Sequence, residues 1–88
     1  MILLVTYDLK GPSTEYTQLY EYLKSHDGWS HYLASTWLID TEKTPDEIID
    51  GIRPFFQKGD RALVVRFDRP YQGWLPDKAW DWIHKHKE

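Results

Sequence analysis

The chain contains no cysteine, which excludes disulfides and thiolate metal sites and permits a reducing compartment. It also lacks any apolar run near the roughly 18 residues that a membrane span needs. No basic region with a cleavage signal precedes the first apolar residues, so the sequence reads as a soluble cytoplasmic protein with no membrane partner. Positive charge is in short supply. Lys and Arg number 11 against 14 Asp and Glu, a net charge of −3, which disfavours a general grip on phosphate backbones. There is no glycine-rich phosphate loop, and Lys10-Gly11-Pro12-Ser13 lacks the Walker spacing.

What the chain does have is aromatic side chains: five Trp, six Tyr and three Phe in 88 residues. That is more than one small core consumes, and such rings are enriched at interfaces. The length fits a single domain, with a core over residues 1–68 and an aromatic C-terminal segment over 69–88.

Hydrophobic periodicity orders the elements. Residues 2–9, including Leu3-Leu4-Val5-Thr6-Tyr7-Asp8-Leu9, read as a strand. Gly11 and Pro12 break it, and Ser13 or Thr14 can cap a helix whose apolar face is Tyr16, Leu19, Tyr20 and Leu23. Gly28 suits the left-handed position after that helix. Trp29 to Thr41 is β-rich but long for one strand. It splits into 29–33 and 36–41 about a tight link, or forms a single bent strand. Thr44-Pro45-Asp46-Glu47 is a capping box with proline at the first helical position, followed by Ile48, Ile52, Phe55 and Phe56. Residues 61–68 read as the last strand, with Leu63, Val65 and Phe67 alternating against Ala62, Val64 and Arg66. Pro76 places a final helix over 77–86, with Ala79, Trp80 and Ile83 on one side.

The order βαββαβ plus a C-terminal helix predicts an α+β, ferredoxin-like fold with a four-stranded antiparallel sheet. The reading sets the first and third strands side by side and parallel, which brings Asp8 and Asp40 to one sheet edge together with Asp60 and Arg61. Leu3, Val5, Leu63, Val65 and Phe67 are expected beneath the helices, leaving Ile2, Leu4, Leu38, Ala62 and Val64 on the opposite face. A face that apolar needs a cover: either the aromatic C-terminal segment, with Trp74, Leu75, Trp80 and Ile83 docked, or a second copy.

Asp8 is the odd residue, a carboxylate closing an apolar strand. It can hold Mg²⁺, which takes oxygen ligands and needs few from protein, or accept backbone N–H groups in a turn. Asp40 reads as part of a solvated loop. His31 is a general acid–base candidate or a structural histidine beside aromatic neighbours. His84 and His86, two apart on a helix, make a poor metal pair. Ser35 and Thr36 near His31 lack any sign of an oxyanion hole or orienting acid. Lys58, Arg61, Arg66 and Arg69 are interleaved with Asp60 and Asp68, a mixed-charge strand edge.

The stretches Leu3–Leu9, Ser30–Thr41 and Asp60–Phe67 resemble the CRISPR adaptation second Cas protein-like superfamily. That group extends to VapD-type toxins and to short SinR-like proteins, the last through Trp29–Trp37 and Gly59–Val65. The resemblance covers about residues 1–68. It implies a two-fold homodimer formed through the sheet and, in some members, Mg²⁺-dependent cleavage of RNA or DNA supported by the aspartate at the position of Asp8. Trp37 falls where the family often has an aromatic residue. Two features depart from the pattern: the first helix, Thr14-Glu15-Tyr16-Thr17-Gln18-Leu19-Tyr20-Glu21, is acidic rather than basic, and the C-terminal segment does not resemble a swapped strand. The sequence therefore carries two expectations. One is a Mg²⁺-dependent endonuclease or toxin-like endoribonuclease with Asp8 as metal ligand and catalytic carboxylate; the other is a non-catalytic dimeric interaction module of the same fold.

Overall fold

A computed structural model describes residues 1–87. The elements are β1 (Ile2–Asp8), α1 (Thr17–Lys24), β2 (Gly28–Leu33), β3 (Thr36–Asp40), α2 (Pro45–Ile52), β4 (Arg61–Arg66) and α3 (Asp77–His86). They build an α+β fold with one four-stranded sheet in the order β2-β3-β1-β4, every neighbouring pair antiparallel. No helix among the described residues is long and apolar enough to cross a membrane.

The direction of β3 corrects the sequence reading. The turn Ala34-Ser35 joins β2 to β3 as a tight hairpin, with Ser35 in the left-handed region at φ 64°. A hairpin reverses the chain, so β3 lies antiparallel to β1 and Ile2 pairs with Asp40. Asp8 and Asp40 therefore sit at opposite ends of the sheet. Asp8 pairs with Arg61, so β4 does begin at the edge where β1 ends.

One face packs under α1 and α2. Leu3, Val5, Trp37, Ile39 and Val64 from the sheet meet Leu19, Leu23, Ile48 and Ile52 from the helices, together with Tyr16. β4 contributes the opposite alternate from the one its sequence suggested. Val5 pairs with Val64 and Tyr7 with Ala62, so Val64 is buried while Leu63 and Val65 are 59% and 40% exposed on the other face. Ala62-Leu63-Val64-Val65 is apolar on both alternates, and a one-residue change of register moves the whole set across the sheet.

Local chemistry explains the helix starts unequally. Thr44 and Glu47 form the reciprocal capping box that the sequence announces, with N–H to oxygen distances of 3.2 and 2.8 Å. Before α1, Ser13–Tyr16 forms a single 3-10 turn without a side-chain cap. Gly28 opens β2 instead of ending α1 in a left-handed turn. A Cβ there would lie 2.6 Å from the His86 ring, so any larger residue would displace that ring.

The outer face is partly covered by the C-terminal segment. Ala79 and Ile83 of α3 are buried, and Phe67, Tyr71 and Trp80 stack in succession at 4.4 and 6.4 Å. Leu75, Trp80 and Ile83 dock as expected, but Trp74 is 99% exposed.

Candidate functional site

Three places carry side chains of chemical interest: the sheet edge at Asp8, the aromatic cluster at His31, and the outer face. Asp8 ends β1 with its side chain 70% exposed, and among the described residues its one ion pair is with Lys10 at 3.6 Å. Arg61 lies across the ladder from it. Among the described residues no three acidic or histidine side chains converge as a metal-ligand set. One carboxylate flanked by two cationic side chains does not fit a Mg²⁺ site within a single copy, because the metal's charge is opposed locally.

The turn-accepting role considered for Asp8 belongs to Asp60. Its carboxylate accepts the N–H of Lys10 and of Gln57, each at 2.7 Å, and the hydroxyl of Tyr16 at 2.8 Å. Tyr16 in turn accepts the Gly11 N–H at 3.1 Å. Burial alone would raise the Asp60 pKa, but these donors and the Lys10 charge outweigh it and hold the carboxyl below its ordinary range. Asp60 thus ties the start of β4 to the loop after β1. The sequence placed Asp60 at the correct edge without showing this role, since its partners come from positions 10, 16 and 57.

His31 lies flat against the Trp37 indole, with ring centroids 4.0 Å apart and planes 14° from parallel. Trp29 and Tyr20 approach the same indole at 5.5 and 6.2 Å. Burial against these rings and the nearby Lys24 cation lower the His31 pKa, and among the described residues no carboxylate bonds the imidazole. Ser35 serves the hairpin: its carbonyl accepts the Tyr7 N–H at 3.0 Å and the Thr6 hydroxyl at 3.3 Å. The Thr36 hydroxyl lies 3.1 Å from that of Thr6. These residues form packing and turn contacts, not a nucleophile with its base.

His86 is the histidine with an acidic partner. Its Nδ1 donates to Asp40 Oδ2 at 2.8 Å, and Trp82 stacks on its ring at 4.4 Å. Burial pushes the Asp40 pKa up, yet the His86 hydrogen bond and the Met1 ammonium pull it down further, leaving it below the usual carboxylate value. This pair pins the end of α3 to the end of β3. Nothing local in the sequence announces it, since the partners are 46 positions apart.

The outer face divides in two. Over β2 and β3, the covering segment leaves a groove of about 360 Å³ lined by Leu4, Ser30, Leu38, Tyr71, Trp80 and Ile83 among others. Beside it, over β4, Leu63 and Val65 form an exposed strip outside the lining of this groove. Of the basic residues near β4, Arg66 pairs with Asp68 at 3.4 Å. Comparison with family models, curated proteins and solved structures finds no match.

Proposed function

We propose that this chain is a non-catalytic interaction module that acts as a homodimer joined along β4. The observation that carries the reading is an uncovered edge strand with an apolar outer side. Phe67 N donates to Ile2 O at 2.9 Å. Antiparallel alternation then points the backbone groups of Leu63 and Val65 at β1 and those of Ala62, Val64 and Arg66 away from it. An edge of that kind is a template for another strand.

A two-fold pairing centred on Val64 meets the pattern. It sets Ala62 opposite the partner's Arg66 and Leu63 opposite the partner's Val65, so no arginine faces another. The same pairing brings Leu63 into cross-strand apolar contact with the partner's Val65 on the outer face. A stable pair of this kind buries about 800 Å² per partner. Sedimentation at micromolar concentration should report a dimer, and Leu63→Lys with Val65→Lys should yield a folded monomer. A wild-type monomer across that range would end the dimer reading. The dimer face differs from the one named from sequence: Val64 lies under the helices, and Leu38 lines the groove beside α3.

The nuclease reading is the second proposal, favoured by the exposure of Asp8 beside Lys10 and Arg61, cations suited to a phosphate. It requires a further carboxylate from outside the copy. Mg²⁺- or Mn²⁺-dependent cleavage of single-stranded RNA or duplex DNA, lost in Asp8→Asn while the fold persists, would establish it. Identical inactivity of wild type and variant would leave the interaction module.

A further inference from the structure

We infer that the groove between the outer sheet face and the C-terminal segment is a binding site for a small, uncharged, planar molecule carrying one hydrogen-bonding group. Its volume, about 360 Å³, is at the lower end of small-ligand sites. Its chemistry selects further. No described residue lining it is charged, so a phosphate, a carboxylate or an ammonium group would enter without a counter-charge from them, at high desolvation cost. The walls are aromatic and aliphatic: Tyr71 and Trp80 on the covering segment face Leu4 and Leu38 of the sheet. Rings of this kind favour a flat partner.

Of the smaller polar side chains that line it, Thr36 bonds Thr6 and Gln72 accepts the Gly73 N–H, which leaves Ser30. It is only 7% exposed, it lines the groove, and its hydroxyl is absent from every hydrogen bond among the described residues. The hydroxyl is not among the enclosed unpaired atoms, so it remains reachable although most of the residue is covered. Here the open side is the groove, so a ligand's hydroxyl or carbonyl would complete it. The exposed strip on β4 plays no part, and the site stands independently of the dimer reading.

The test uses 1-naphthol, flat and neutral at pH 7 with one hydroxyl, against naphthalene, which has none. Each is titrated into the full chain while backbone amide shifts are followed by NMR. Saturable binding should move the amides of Ser30, Leu38, Ala79 and Ile83. Ser30→Ala should weaken 1-naphthol about three- to tenfold, the worth of one neutral hydrogen bond, and leave naphthalene unchanged. Leu38→Trp should fill the groove and abolish both. Shifts centred on Leu63 and Val65, equal binding by Leu38→Trp, or no loss in Ser30→Ala would each overturn the assignment. So would binding seen only in Trp74→Ala, because the groove would then be the seat of Trp74 from a second copy.

Discussion

Asp8 and Asp60 share a sheet edge and differ in what surrounds them. The sequence drew attention to Asp8 because a carboxylate interrupts an apolar strand, a signal visible in seven consecutive residues. Asp60 looked like an ordinary turn residue, yet it accepts three hydrogen bonds from distant positions. Removing its charge leaves two backbone N–H groups with poorer acceptors. Asp60→Asn should therefore lower the thermal midpoint by several degrees, whereas Asp8→Asn should change stability by less than about 0.5 kcal/mol. Equal midpoints for the two variants would show that the Asp60 contacts contribute nothing net.

At the scale of elements, legibility follows sequence distance. The start of α2 was readable because its capping box lies within four residues, and Thr44→Ala should cost about 1 kcal/mol. The hairpin of β2 and β3 was readable from a small polar break in a β-rich run. The seat of α3 was only half readable. Its buried stripe of Ala79 and Ile83 followed from helical spacing, and Ile83→Ala should cost about 2–5 kcal/mol in a site that cannot collapse. Its anchor at Asp40 did not follow. Because the Asp40 pKa is depressed in the folded state, its contribution is present above the unfolded carboxylate value, about 3.9, and is lost as pH falls through the folded one. Thermal midpoints of wild type and Asp40→Asn should differ at pH 6 and converge toward pH 3. A gap that stays constant would remove the pairing from the stability of α3.

At the scale of the molecule, the fold class was legible and the use of the sheet was not. Element order gave the four-stranded α+β architecture directly. Strand direction is set by the β2–β3 hairpin, whose reversal makes β3 antiparallel to β1 and not parallel as the element order suggests. Register failed because β4 is apolar on both alternates, so burial alone could not say which side faces the helices. The consequence is a sheet used on both faces, with a helix-covered core on one and a thinner, partly open cover on the other. Deleting residues 69–88 should lower the thermal midpoint and expose Ile2, Leu4 and Leu38 together, with aggregation on heating. A truncated chain that melts like the full one would make the segment an appendage without structural weight.

The tryptophans also differ widely in surroundings. Trp37 is 1% exposed, with His31 against its face and its indole N–H bonded to the Tyr7 hydroxyl at 2.9 Å, while Trp74 is 99% exposed. A protonated imidazole withdraws an electron from an excited indole, so Trp37 emission should fall only once acid reaches the lowered pKa of His31, while Trp82 carries an imidazole of its own in His86. Acrylamide should remove the red-shifted part at neutral pH. Of the five tryptophans, Trp37 and Trp74 thus mark the two extremes of one optical readout, the helix-side core and the mouth of the groove.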